Sequence, residues 1–193
     1  MANSKKNVAL GKPKASGCFY TAPAGTALPA DATTALDKAF QTVGYISEDG
    51  VTNATDTENA EIKEMGGGIV LKEISGYGET FQFVMLETNP VALAVRYGTD
   101  NVTSTGDNIT VKHGMPDGES RVGVFEIMLG RNRVKRIVVP DYTNAEFGDT
   151  VYSAGEAVGY EVTLAANPSD LIGGKTCVEY IATVTTSGTT TGK

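Results

Sequence analysis

Apolar and polar residues alternate clearly in two stretches of this chain. Over residues 79–87, Phe81, Phe83 and Met85 fall on one side, and Thr80, Gln82, Val84 and Leu86 on the other. A two-residue period of this kind predicts a strand with one buried face. Residues 160–166 repeat it, with Tyr160, Val162 and Leu164 against Glu161, Thr163 and Ala165. Shorter runs predict strands over residues 18–21, 42–46, 68–74, 108–112, 121–129, 133–139 and 176–184. The Leu129-Gly130-Arg131-Asn132 turn signal joins two of them as a hairpin. One helix is predicted: Asn89 supplies a cap, Pro90 suits the first helical position, and the apolar body over residues 91–97 stops at Gly98. Residues 32–40 suggest one further helical turn, with Leu36 and Phe40 four apart.

The expected fold is mainly antiparallel β, a sandwich or open barrel with one short flanking helix. Residues 1–16 read as an extended arm, because Gly11 and Pro13 discourage regular structure. Residues 17–184 form a single domain, and 185–193 a Thr/Gly/Ser tail with too little apolar surface to order itself.

One stretch breaks the alternation. Residues 47–64 hold six carboxylates, one lysine (Lys63) and only Val51 and Ile62 as large apolar side chains. They are read as part of a long loop over residues 47–67, with Gly66-Gly67-Gly68 a flexible joint at its root. A loop of that length inside a domain is usually functional or disordered. Residues 1–16 carry Lys5, Lys6, Lys12 and Lys14 and no carboxylate. The two segments therefore read as interaction elements of opposite sign, able to steer copies into one orientation. Charges act over only about 8 Å at physiological salt, so grip falls to strand edges and to Val51 and Ile62. Candidate interface residues are Lys5, Lys6, Lys12, Lys14, Glu48, Asp49, Val51, Asp56, Glu58, Glu61, Ile62, Arg131 and Arg133. The cluster Arg131, Arg133, Lys135 and Arg136 has two readings, the solvated face of an edge strand or an ionic partner for an acidic neighbour.

Composition narrows the function. Forty per cent of the 193 residues are hydrophobic, enough for a core. The net charge of −7 repels nucleic acid rather than gripping it. No apolar run reaches the roughly 20 residues of a membrane span, and no apolar stretch follows the charged start, so a soluble protein made in a cytosol, with no membrane anchor, is expected. Cys18 and Cys177 match no zinc or redox spacing and read as free thiols. His113 ends a strand without partners, and the turn aspartates lack calcium-loop spacing. Neither a nucleophile–base pair nor a cofactor site is legible, and the three Asn-x-Thr triplets read as coincidences of an Asn/Thr-rich chain.

The order of features resembles the major tail proteins, or tail tube proteins, of long-tailed phages of Gram-positive bacteria. The resemblance rests on Cys18-Phe19-Tyr20, residues 44–50 (GYISEDG), Glu61-Ile62-Lys63, residues 79–83 (ETFQF) running into Asn89-Pro90, and residues 159–164 (GYEVTL) ahead of Asn167-Pro168. It implies a β-sandwich with one helix, six copies per ring, and rings stacked into a tube through which DNA passes without sequence-specific binding. It also implies tape-measure, tail-terminator and tail-tip partners, and a long loop and arms that bridge subunits. It leaves no room here for the carboxy-terminal immunoglobulin-like domain of some relatives. A head-decoration, head–tail joining or baseplate subunit remains the alternative.

Overall fold

The computed structural model describes residues 3, 8–14, 17–115, 118–130 and 132–184. Lys5, Lys6, Arg131 and the 185–193 tail lie outside the described residues. Eleven strands and one α-helix follow in chain order: β1 Gly11–Pro13, β2 Phe19–Pro23, β3 Gln41–Thr42, β4 Ile46–Lys63, β5 Ile69–Met85, α1 Pro90–Tyr97, β6 Val102–Thr105, β7 Asn108–Val111, β8 Arg121–Leu129, β9 Arg133–Phe147, β10 Tyr160–Ala166 and β11 Val178–Thr183. Nine strands make one antiparallel sheet in the order β3-β2-β8-β9-β10-β5-β4, with β1 beside β8 and β11 beside β9; β6 and β7 form a separate hairpin. The first and last strands of this order are consecutive in sequence, joined by Val43, Gly44 and Tyr45. The Val43 amide donates to the Phe19 carbonyl at 3.3 Å, and the Leu86 amide to the Tyr45 carbonyl at 2.9 Å. The sheet therefore curls until its ends adjoin, the expected open barrel. Gly44 makes the joint. Its φ is +91°, and a Cβ there would lie 2.1 Å from the Glu87 carboxyl carbon.

The curled sheet encloses an aromatic core. The Phe19 ring centroid lies 4.6 Å from Phe125 and 4.9 Å from Phe83, and Phe81 stacks on Phe125 at 4.9 Å. Phe81, Phe83, Met85, Tyr160, Val162 and Leu164 are buried, so the alternation read in β5 and β10 sets the inner face. Helix α1 adds Ala92, Leu93 and Val95 to the same cluster. Its Asn89 cap accepts from the Ala92 amide at 2.8 Å, with Pro90 opening the first turn.

Several expectations need correcting. Residues 47–64 are not a loop: all but Glu64 lie in β4, which pairs with β5 at Ile46 and, after a bulge, from Val51 to Lys63. The isolated segment lacks an apolar period, but β5 supplies its hydrogen-bond partners, and Thr and Asn fit an exposed ladder. The triple glycine lies at the tip of this hairpin, not its root. There the Glu64 amide donates to the Gly68 carbonyl at 2.9 Å, the Gly67 amide returns to the Glu64 carbonyl at 2.8 Å, and Gly67 has φ +89°. The arm is partly ordered, since β1 pairs Gly11 with Leu129 and Pro13 with Ile127. Residues 32–40 hold no helix, because Asp31 captures the Thr33 and Thr34 amides in a side-chain turn. Strand β9 runs on past Pro140, which sits where the β8 register slips and between the stretches that pair with β11 and β10, so no ladder bond is lost. β9 is also no edge strand, having partners on both sides, and Arg136 within it is 3% exposed.

Candidate assembly interface

The β4–β5 hairpin leaves the body as a ribbon. β10 pairs with β5 only as far as Glu79, so beyond the Asp56–Gly78 pair both ribbon edges are free among the described residues. About eight residue pairs at roughly 3.3 Å each carry the tip about 25 Å out. Ile62, Met65, Ile69, Val70, Leu71, Ile74 and Tyr77 all lie on this ribbon in the open, Met65 fully so. Residues 47–78 hold seven carboxylates and two lysines. Glu61 pairs with Lys72 at 3.1 Å, and Glu64 folds over the turn to accept from the Gly66 and Gly68 amides.

The ribbon is anchored at a polar junction. Glu79 is buried and accepts from Asn53 Nδ2 at 2.9 Å, from the Thr176 hydroxyl, and from Cys177 Sγ at 3.5 Å. Burial, reinforced by the Glu79 charge, pushes the Cys177 thiol up to about 12. Burial, with a smaller contribution from Glu126, pushes Cys18 up to about 11. Both thiols are free, as read from the sequence, and resist ionisation.

The expected interface residues separate into groups. Glu48 and Asp49 are exposed in a bulge at the ribbon base, where the Ser47 hydroxyl donates to Asp49. Asp56 and Glu58 stand opposite Gly78 and Gly76 on an open face. Ile62 is exposed near the tip, opposite Leu71. Val51 pairs with Phe83 and packs against the core, so it is part of the body rather than a grip. Lys12 is exposed on β1. Lys14 is engaged within its own chain with Glu126, which also binds the Arg136 guanidinium. Arg133 lies on the other face of β9 from Arg136, half-exposed, by the alternation of the strand.

The sequence reading missed Ile69, Val70, Leu71 and Ile74 because residues 68–74 read as a strand of the body; Met65 and Tyr77 lie on either side of that stretch and were not singled out. One signal was available. Ile69, Val70 and Leu71 are consecutive and are followed by Lys72-Glu73, so neither side of the strand is uniformly apolar. His113 is exposed and stacks on Tyr97 at 4.6 Å. Among the described residues, no three His, Cys, Asp or Glu side chains are grouped to hold a metal ion, and no helix is long and apolar enough to cross a membrane.

A β body with a projecting, sticky ribbon suits a subunit built to meet copies of itself. A family model described as phage tail tube protein matches residues 1–186. The chain belongs to the phage tail tube protein family. No curated protein matches it. A solved chain from the sheath–tube complex of an extracellular contractile injection system, in its extended state, is 8% identical over 95% of this chain and 100% of that one, with a TM-score of 0.33. Family membership makes this tail tube protein a structural component of a phage virion and not an enzyme.

Proposed function

We propose that copies of this tail tube protein assemble into hexameric rings that stack into a hollow tube, and that the β4–β5 ribbon bridges one copy to the next. The tube forms in the host cytoplasm with tape-measure, terminator and tip proteins, in a long-tailed phage of a Gram-positive host, and later conducts DNA. The observation that carries this reading is the ribbon: seven large apolar side chains exposed on a two-stranded hairpin with both edges free. An isolated two-stranded hairpin is marginal in water, and exposed apolar patches of this kind mark protein contacts. Free edges add β-augmentation as a second source of affinity. The acidic surface repels DNA phosphates, which favours passage over binding.

Excising residues 57–77 and closing Asp56 to Gly78 with Asn-Gly tests it, since that pair is the last before the free ribbon and Asn-Gly closes a tight hairpin. The shortened protein should melt as the parent does, yet remain a monomer by sedimentation at concentrations where the parent forms rings or tubes under negative stain. Normal tubes from the shortened protein would sink the bridging role. A parent that stays monomeric at high concentration would count against tube assembly itself.

A further inference from the structure

The face of the sheet turned away from the aromatic core carries its own apolar strip. Arg136 lays residues 31–34 over part of it, donating from Nη1 to the Asp31 and Thr34 carbonyls at 2.8 Å each. Past this loop the face opens into a groove of about 360 Å³ lined by Ala32, Met128, Val134 and Val184 together with Thr33, Asn132 and Arg136, with Lys14 at its side. Strand register explains the lining. Lys12 stands opposite Met128, Met128 opposite Val134, and Val134 opposite Ala182, one cross-strand row over β1, β8, β9 and β11. Val184 follows Ala182 on the same side. The volume lies in the range of pockets that accept a small apolar ligand, and so of a few side chains.

We infer that this groove receives the apolar tip of the ribbon, Ile62, Met65, Ile69 and Leu71, from a second copy of the chain. The inference deepens the tube reading and rests on it. Charge selects the occupant. Lys14 lines the groove and Lys12 stands opposite its Met128, while the buried Glu126 carboxylate nearby is already matched by Lys14 and Arg136. The ribbon brings seven carboxylates against two lysines. Opposite fields of this kind set orientation and encounter rate, while the apolar tip supplies grip. The chain's own tip does not fill the groove, because Met65 stands fully exposed and no ribbon residue lines it. Residues 185–193, TTSGTTTGK, have no large apolar side chain to place there and add another lysine.

Proximity across copies is the direct test. Full-length protein carrying Met65→Cys is mixed with full-length protein carrying Val184→Cys, assembled and oxidised; a second mixture pairs Met65→Cys with Lys12→Cys. The native thiols, both held mainly un-ionised, give little background. A disulfide-linked dimer is expected in the mixtures and not in either variant alone. Tubes that form while neither mixture links overturn the groove and leave the tube reading standing. Failure of the unmodified parent to assemble overturns both. Met128→Glu gives an independent readout. It should raise the concentration needed for polymerisation at least tenfold with the monomer's melting curve unchanged, and unaltered polymerisation overturns the groove.

Discussion

The two halves of β5 share one backbone and have opposite surroundings. Residues 79–85 bury Phe81, Phe83 and Met85 to 2% exposure or less, whereas Ile69, Ile74 and Tyr77 in the outer half are each more than 50% exposed. Hydrogen bonding to β4 continues through both halves, so it does not make the difference. The inner half has β10 on its other edge and the curled sheet across from it; the outer half has neither. Strand pairing sets the path of the chain, and a third partner decides whether its side chains become core. In the outer half no described residue of the chain supplies that partner, and the proposed tube supplies it from a second copy.

The largest expected effect breaks the inner half. Phe83→Ala removes a ring packed against Phe19 and Phe125 and should cost about 3–5 kcal/mol of stability, read by urea unfolding of the monomer. A loss under about 1 kcal/mol would mean that the inner half is not the packed core described above.

Arg136 comes next. Its guanidinium and the Glu126 carboxylate are both nearly fully buried, so Arg136→Met leaves that buried charge with the half-exposed Lys14 as its remaining cation and should cost up to about 3 kcal/mol. The acid limb gives a second reading. Burial works to raise the Glu126 pKa, but hydrogen bonds from Lys14 and Arg136 and their charges outweigh it, leaving the carboxyl below its usual value. Because the folded pKa lies below the unfolded one of about 4.3, the contribution is complete above pH 4.3 and is lost as pH falls through the folded value. Unfolding midpoints of the parent and Glu126→Gln should therefore differ at neutral pH and converge in acid. A gap that stays constant would show that the carboxylate's charge is not what Arg136 and Lys14 hold.

How far the sequence foretold this follows from the same contrast. β10 and the inner half of β5 were readable because one face is core and the other is not, which writes a period of two into the residues. The Asn89-Pro90 start of α1 was readable because a cap is local chemistry. β4 was not, because an exposed ribbon has no buried face to impose a period, and carboxylates on a free edge look like a loop. The acidic segment is nonetheless one strand of the ribbon. Which apolar residues are exposed was hidden, because exposure depends on where β10 ends. Lys14 shows the same limit from the other side: a cation expected at an interface is engaged by Glu126, 112 residues away.

The Asn89 cap should matter less. Its Oδ1 accepts from the Ala92 amide at 2.8 Å, and its Nδ2 donates to the Val43 carbonyl at 3.0 Å and to Glu87 at 3.1 Å. Asn89→Ala should cost about 1 kcal/mol through the lost cap. Asn89→Asp keeps the acceptor but turns a carboxylate toward the Val43 carbonyl and Glu87, so it should not restore full stability. Full rescue by Asp in chemical unfolding would leave the joint at residues 43–45 with no dependence on this side chain.

The smallest effect on folding is expected on the outer half. Ile74→Ser replaces a residue 67% exposed, away from the core, and should change monomer stability by less than about 0.5 kcal/mol. Its effect belongs to assembly: removing an apolar side chain from the ribbon should weaken polymerisation with the melting curve unmoved. That dissociation of the two readouts is the sharpest form of the comparison, since Phe83→Ala, nine residues along the same strand, should move the melting curve first. If Ile74→Ser lowered stability by as much as a core substitution, the ribbon would be packed in the free subunit, and the need for an outside partner would disappear.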